Sequence, residues 1–101
     1  MIIIYVTHPN IEHAKTIAKA MLDERLAACV NITPVDTLSL WKGTCEENKE
    51  VVTILKSHES LWEKIQERIA ELHEYDVPCI IKIPVSANEA FESWIADETQ
   101  L

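Results

Sequence analysis

Apolar and polar positions along this chain switch between two periods, and the switches mark its elements. Residues 2–6 (Ile-Ile-Ile-Tyr-Val) form an unbroken strand-favouring run closed by Thr7-His8-Pro9-Asn10. The pattern predicts a buried central strand leading into a helix whose free amides Asn10 can cap. Ile11, Ala14, Ile17, Ala18, Met21 and Leu22 then recur at steps of three and four, one face of a helix that should stop near Arg25. Ala28 to Trp41 reads as extended: Val30 and Ile32 alternate with Asn31 and Thr33, and Leu38 and Leu40 with Thr37 and Ser39. Pro34 has no N–H to donate, so it predicts a bulge or an edge position. Gly43 to Lys49 reads as a polar turn, and Glu50 to Lys56 returns as the second arm of a hairpin.

Ser57 is the expected start of a second helix with Leu61, Ile65, Ile69 and Leu72 on one face. His73-Glu74-Tyr75-Asp76-Val77-Pro78 is a connecting loop, and Cys79 to Val85 another apolar strand. Ser86 and Glu89 have capping-box spacing ahead of Phe91, Trp94 and Ile95. The order is strand, helix, strand, strand, helix, strand, helix. That order predicts an α+β chain, a single domain over residues 1–101 with the ferredoxin-like β-α-β-β-α-β arrangement and an additional C-terminal helix. Right-handed crossovers put the first two helices on one face of an antiparallel sheet. The last helix is expected to cover a sheet edge or sit near the second.

The hairpin is long for its domain. Fourteen extended residues from Ala28 to Trp41 span roughly 46 Å at about 3.3 Å per residue. A 100-residue domain has a radius of gyration of about 13 Å, so the arm should overreach the helices. Leu38, Leu40 and Trp41 on such an arm call for a defined cover, and a closed homo-oligomer supplies one. A hairpin curled back on its own sheet is the alternative.

Charge narrows the function. Nine Lys and Arg against seventeen Asp and Glu give a net charge of −8, the wrong sign for tracking a nucleic-acid backbone. No apolar run is long enough to span a bilayer, and the apolar start lacks a basic region or cleavage site, so neither a membrane segment nor a signal peptide is expected. Cys29, Cys45 and Cys79 are three, an odd number without C-x-x-C spacing; they predict free thiols in a cytoplasmic protein, with Cys45 exposed. A single Gly leaves no phosphate cradle, and no nucleophile is tied to a base by a local signature, so an enzyme is disfavoured and no organic cofactor is expected.

The candidate metal ligand is His73. It ends the second helix, where Glu74, Tyr75 and Asp76 add oxygen atoms to its nitrogen for a hard or borderline divalent ion; capping the helix is the competing role. His8, His13 and His58 are expected at the surface, His8 with the better case for a site because it follows the first strand. Glu50, Lys56, Tyr75 and Asp76 form a candidate polar cluster at a subunit boundary. Glu50 and Lys56 lie about 20 Å apart on one strand, so they can act only with groups from other elements. Trp41 and Trp62 are expected as interface or core anchors.

Tyr5-Val6-Thr7-His8-Pro9, Arg25-Leu26-Ala27-Ala28-Cys29-Val30-Asn31-Ile32, Trp41-Lys42-Gly43, Ile54-Leu55-Lys56-Ser57, His73 to Pro78 and Trp94 together resemble the CutA divalent-cation-tolerance family, in order across nearly the whole chain. The resemblance implies a ferredoxin-like subunit, a homotrimer built by strand pairing between subunits, a cytoplasmic location, and tolerance of copper and other divalent cations. In some bacterial members of that family copper is attributed to a Cys on the first strand and two His at the loop. Val6 and Leu72 stand at two of those positions, and His73 remains. A second function stays open on analogy of shape alone: a PII-like signalling module that binds small molecules or proteins in clefts between subunits.

Overall fold

The computed structural model describes residues 1–100; Leu101, the last position of the expected domain, lies outside them. Strands β1 (Ile2–His8), β2 (Cys29–Trp41), β3 (Thr44–Ser57) and β4 (Ile80–Pro84) form one antiparallel sheet in the order β2-β3-β1-β4. Helices α1 (Ile11–Asp23) and α2 (Trp62–Leu72) follow β1 and β3, and α3 (Glu89–Glu98) follows β4. This is the ferredoxin-like order with one extra helix.

β1 alternates strictly between buried and half-buried residues. Its inward set is Ile2, Ile4, Val6 and His8. The three aliphatic members pack with Leu55 of β3, with Ile17 and Met21 of α1, and with Ile65 and Ile69 of α2. Each such side chain removed from water stabilises the fold by about 1.5–3 kcal/mol. Ile11 and Leu22, at the two ends of the predicted α1 face, are exposed, and His13 is buried in their place. Asn10 caps α1 as expected, its side-chain oxygen accepting from the His13 amide at 2.8 Å.

Two boundaries differ from the sequence reading. Ser57 does not open a helix: it ends β3, is fully buried, and donates from Oγ to the Leu26 carbonyl at 2.6 Å. The helix begins instead through a short 3-10 turn, Glu59–Leu61, capped by His58, whose ring nitrogen accepts from the Ser60 amide. Asn88, not Ser86, occupies the cap position of α3. Pro34 takes the second of its two expected places, an edge strand, in continuous register with Val51 and without a bulge.

The largest correction concerns the polar run Gly43–Lys49. Only Lys42 and Gly43 form the turn, and Thr44 to Lys49 pairs with Trp41 to Asp36. Backbone pairing sustains this stretch without apolar side chains, so no alternation announces it. Both turn residues have positive φ, 51° at Lys42 and 81° at Gly43, as a two-residue type I′ hairpin requires. The arm stays extended, giving the molecule a long dimension of 45 Å against 25 and 21 Å. At its tip Leu38, Leu40 and Trp41 are 71%, 78% and 54% exposed. Trp62 packs partly buried against the core.

Candidate metal centre

Three imidazoles meet at the end of the sheet. His8 is the last residue of β1 and continues its inward face. His13 lies in the first turn of α1, held there by the Asn10 cap, and His73 follows the last residue of α2. One nitrogen from each falls within 4.8 Å of the others. The rings of His8 and His73 stack at 5.4 Å between centroids, and His13 meets His73 edge-on at 4.5 Å. The surface expectation for His8 and His13 is therefore wrong: His8 is 0% and His13 9% exposed. Their signal was present in the sequence. His8 has the same strand parity as Ile2, Ile4 and Val6, and His13 lies four residues before Ile17.

The hydrogen-bond partners define every ring nitrogen. The Glu74 amide donates to His13 Nε2 (3.3 Å), which puts the His13 proton on Nδ1. That proton points to Nδ1 of His8 at 2.9 Å, and His8 then donates from Nε2 to Thr53 Oγ1 at 2.7 Å. His73 donates from Nε2 to the Thr7 carbonyl (2.8 Å), and its Nδ1 accepts from the Tyr75 amide at 3.1 Å. All three rings are neutral in this network. Burial first, then the neighbouring His13 and His73, lowers the His8 pKa to about 4. His13 is lowered by burial and by His73, against a smaller opposing pull from Glu74.

Neutral imidazoles from three elements are a donor set suited to copper, zinc or nickel, which favour nitrogen over the all-oxygen shells of calcium or magnesium. The predicted ligand His73 belongs to this cluster. The oxygen donors expected beside it do not: Glu74 and Asp76 are exposed, and the Tyr75 hydroxyl donates to Glu50 Oε2 at 2.8 Å. Burial first, and then that bond, raises the Tyr75 pKa.

The expected polar cluster is only partly assembled. Glu50, Tyr75 and Asp76 line one open cleft of about 780 Å³ together with Trp41 and Cys79. Lys56 is not among them. It donates to Asn31 Oδ1 at 2.6 Å and lies over the Phe91 ring, six residues along β3 from Glu50. Burial and the nearby Glu50 push the Cys79 thiol pKa up. Among the described residues all three cysteines are free thiols, with Cys45 exposed and the other two half-buried. No helix among the described residues is long and apolar enough to cross a membrane.

Comparison with known proteins agrees with this architecture. A divalent-cation tolerance protein CutA from Pyrococcus horikoshii is 48% identical over 101 residues, with 99% of each chain covered. A chloroplastic CutA protein of Arabidopsis thaliana is 37% identical, and this chain spans 56% of its length. The crystal structure of CutA1 from Pyrococcus horikoshii superposes with a TM-score of 0.96 at 47% identity over the whole of both chains. A structure described as the periplasmic divalent cation tolerance protein CutA from Archaeoglobus fulgidus gives 0.96 at 34% identity, covering 99% of this chain and all of that one. Residues 2–98 match the CutA1 divalent ion tolerance protein family, and this chain belongs to it.

Proposed function

We propose that the chain forms a non-enzymatic, single-domain homotrimer that binds divalent cations and serves cellular tolerance of them, with copper as the favoured ion. The observation that carries the reading is the convergence of His8, His13 and His73 to within 4.8 Å. Three nitrogen ligands from a strand, a helix and a loop suit a borderline ion, and at such donors Cu²⁺ binds more tightly than the other first-row divalent ions. The family name, divalent ion tolerance protein, supports the same role. A net charge of −8 raises the local concentration of cations around the molecule. Trimer formation is supported by the projecting arm, whose exposed Leu38, Leu40 and Trp41 need a cover that the subunit itself does not give. Three free thiols fit the reducing cytoplasm.

The test is calorimetric titration of metal-free protein with Cu²⁺ and Zn²⁺, alongside His8→Gln, His13→Gln and His73→Gln variants shown by circular dichroism to be folded. Saturable binding lost in each variant supports the reading. Equal affinity in all four proteins contradicts it. A second reading, a PII-like module for small molecules, rests on the cleft beside Tyr75 and Trp41. An organic ligand retained through purification and seen by native mass spectrometry would favour it.

A further inference from the structure

Each imidazole of the cluster has one lone-pair nitrogen, and none of the three is free. The His8 lone pair takes the proton of His13, the His13 lone pair takes the Glu74 amide, and the His73 lone pair takes the Tyr75 amide. A cation bonds to lone pairs, so it must displace the donors that occupy them. Shifting the tautomers would only move the conflict to Thr53 and to the Thr7 carbonyl. Those two groups lie on β3 and β1, central strands paired along their length. The Glu74 and Tyr75 amides belong instead to the loop between α2 and β4, where Glu74 is exposed. For His13 and His73 the loop is the side that yields, and the His8 lone pair opens when the His13 ring, freed from the Glu74 amide, turns its Nδ1 proton away.

Tyr75 carries the displacement further. Its amide sits on His73 while its hydroxyl holds Glu50, the β3 residue opposite Val35 where the arm leaves the body of the sheet. We infer that loading the imidazole cluster with a divalent cation releases the 73–77 loop, so that Tyr75 leaves Glu50 and the cleft along the arm is remodelled. This rests on the cation-binding reading above and adds its regulation. In the metal-free state the Tyr75–Glu50 bond holds the loop closed and opposes loading.

Zn²⁺, which is diamagnetic, allows the test by NMR on the full chain. The expected result is that Zn²⁺ shifts the Glu74 and Tyr75 amide signals and speeds their hydrogen exchange about tenfold or more. Tyr75→Phe, which keeps the ring and loses the hydroxyl, should then bind Zn²⁺ about tenfold more tightly, because the closed loop has lost a charge-assisted bond. If Zn²⁺ binds in a manner abolished by His8→Gln while both amides and the Tyr75→Phe affinity stay unchanged, the coupling is wrong and the cation site stands. If Zn²⁺ binding is absent, or indifferent to His8→Gln, the site falls and the coupling falls with it.

Discussion

Nδ1 of His8 stands 2.9 Å from Nδ1 of His13, one at the end of the first strand and the other in the first turn of the helix that follows. Two imidazoles this close in a buried setting cannot both carry charge. Neutrality leaves the cluster with lone pairs to offer, and it also makes the cluster a source of acid sensitivity.

Stability of the metal-free protein should therefore fall on mild acidification. An unfolded chain takes up the His8 proton near pH 6.5 and the folded chain near 4. Between those values the unfolded state binds more protons, so the contribution is whole above pH 6.5 and drains away as pH drops toward 4. The loss attributable to His8 is at most about 3 kcal/mol. Lowering of the His13 pKa acts in the same direction. Denaturant melts in the presence of a chelator at pH 7.5, 6 and 5 measure it, and a flat profile would contradict the buried neutral network.

Ser57→Ala should destabilise the fold by about 1–3 kcal/mol, because it leaves the Leu26 carbonyl, 2.6 Å from Ser57 Oγ, without that donor in a buried place. Ser57→Thr restores a hydroxyl but adds a methyl group at a fully buried position, so it should recover only part of the loss. Urea unfolding of the three proteins orders them.

Gly43→Ala meets no neighbour within 4 Å, so its cost is conformational. At a φ of +81° it should be about 1 kcal/mol. Faster amide exchange at Trp41 and Thr44, with the core unaffected, is the expected signature.

Much of the fold is legible in the sequence because burial and period coincide there. The inward parity of β1 and the Ile65–Ile69 stripe of α2 follow directly from side-chain spacing. The outer half of the arm does not, because Thr44 to Lys49 is paired through its backbone and carries no buried face. Ser57 misleads for a related reason: its hydroxyl suits a helix cap, but β3 carries it inward to a carbonyl 31 residues away. At the site, its neighbours in sequence mark His73, whereas His8 and His13 read as surface polar residues although both lie on inward faces. What brings the three together is the packing of α2 back against β1, a long-range relationship that no local pattern encodes.

Assembly through the arm predicts that Leu38→Glu combined with Leu40→Glu lowers the oligomeric state. Light scattering coupled to size-exclusion chromatography should report a trimer for the unmodified chain and a smaller species for the double variant. A monomer in both, or a trimer in both, would remove the arm from the account.

Anomalous diffraction from crystals soaked in dilute copper locates the bound ion against the three imidazoles. One strong peak per subunit, bounded by His8, His13 and His73, is the expected result. Density confined to exposed carboxylates, with the three imidazoles still bonded to one another and to the loop amides, would contradict it.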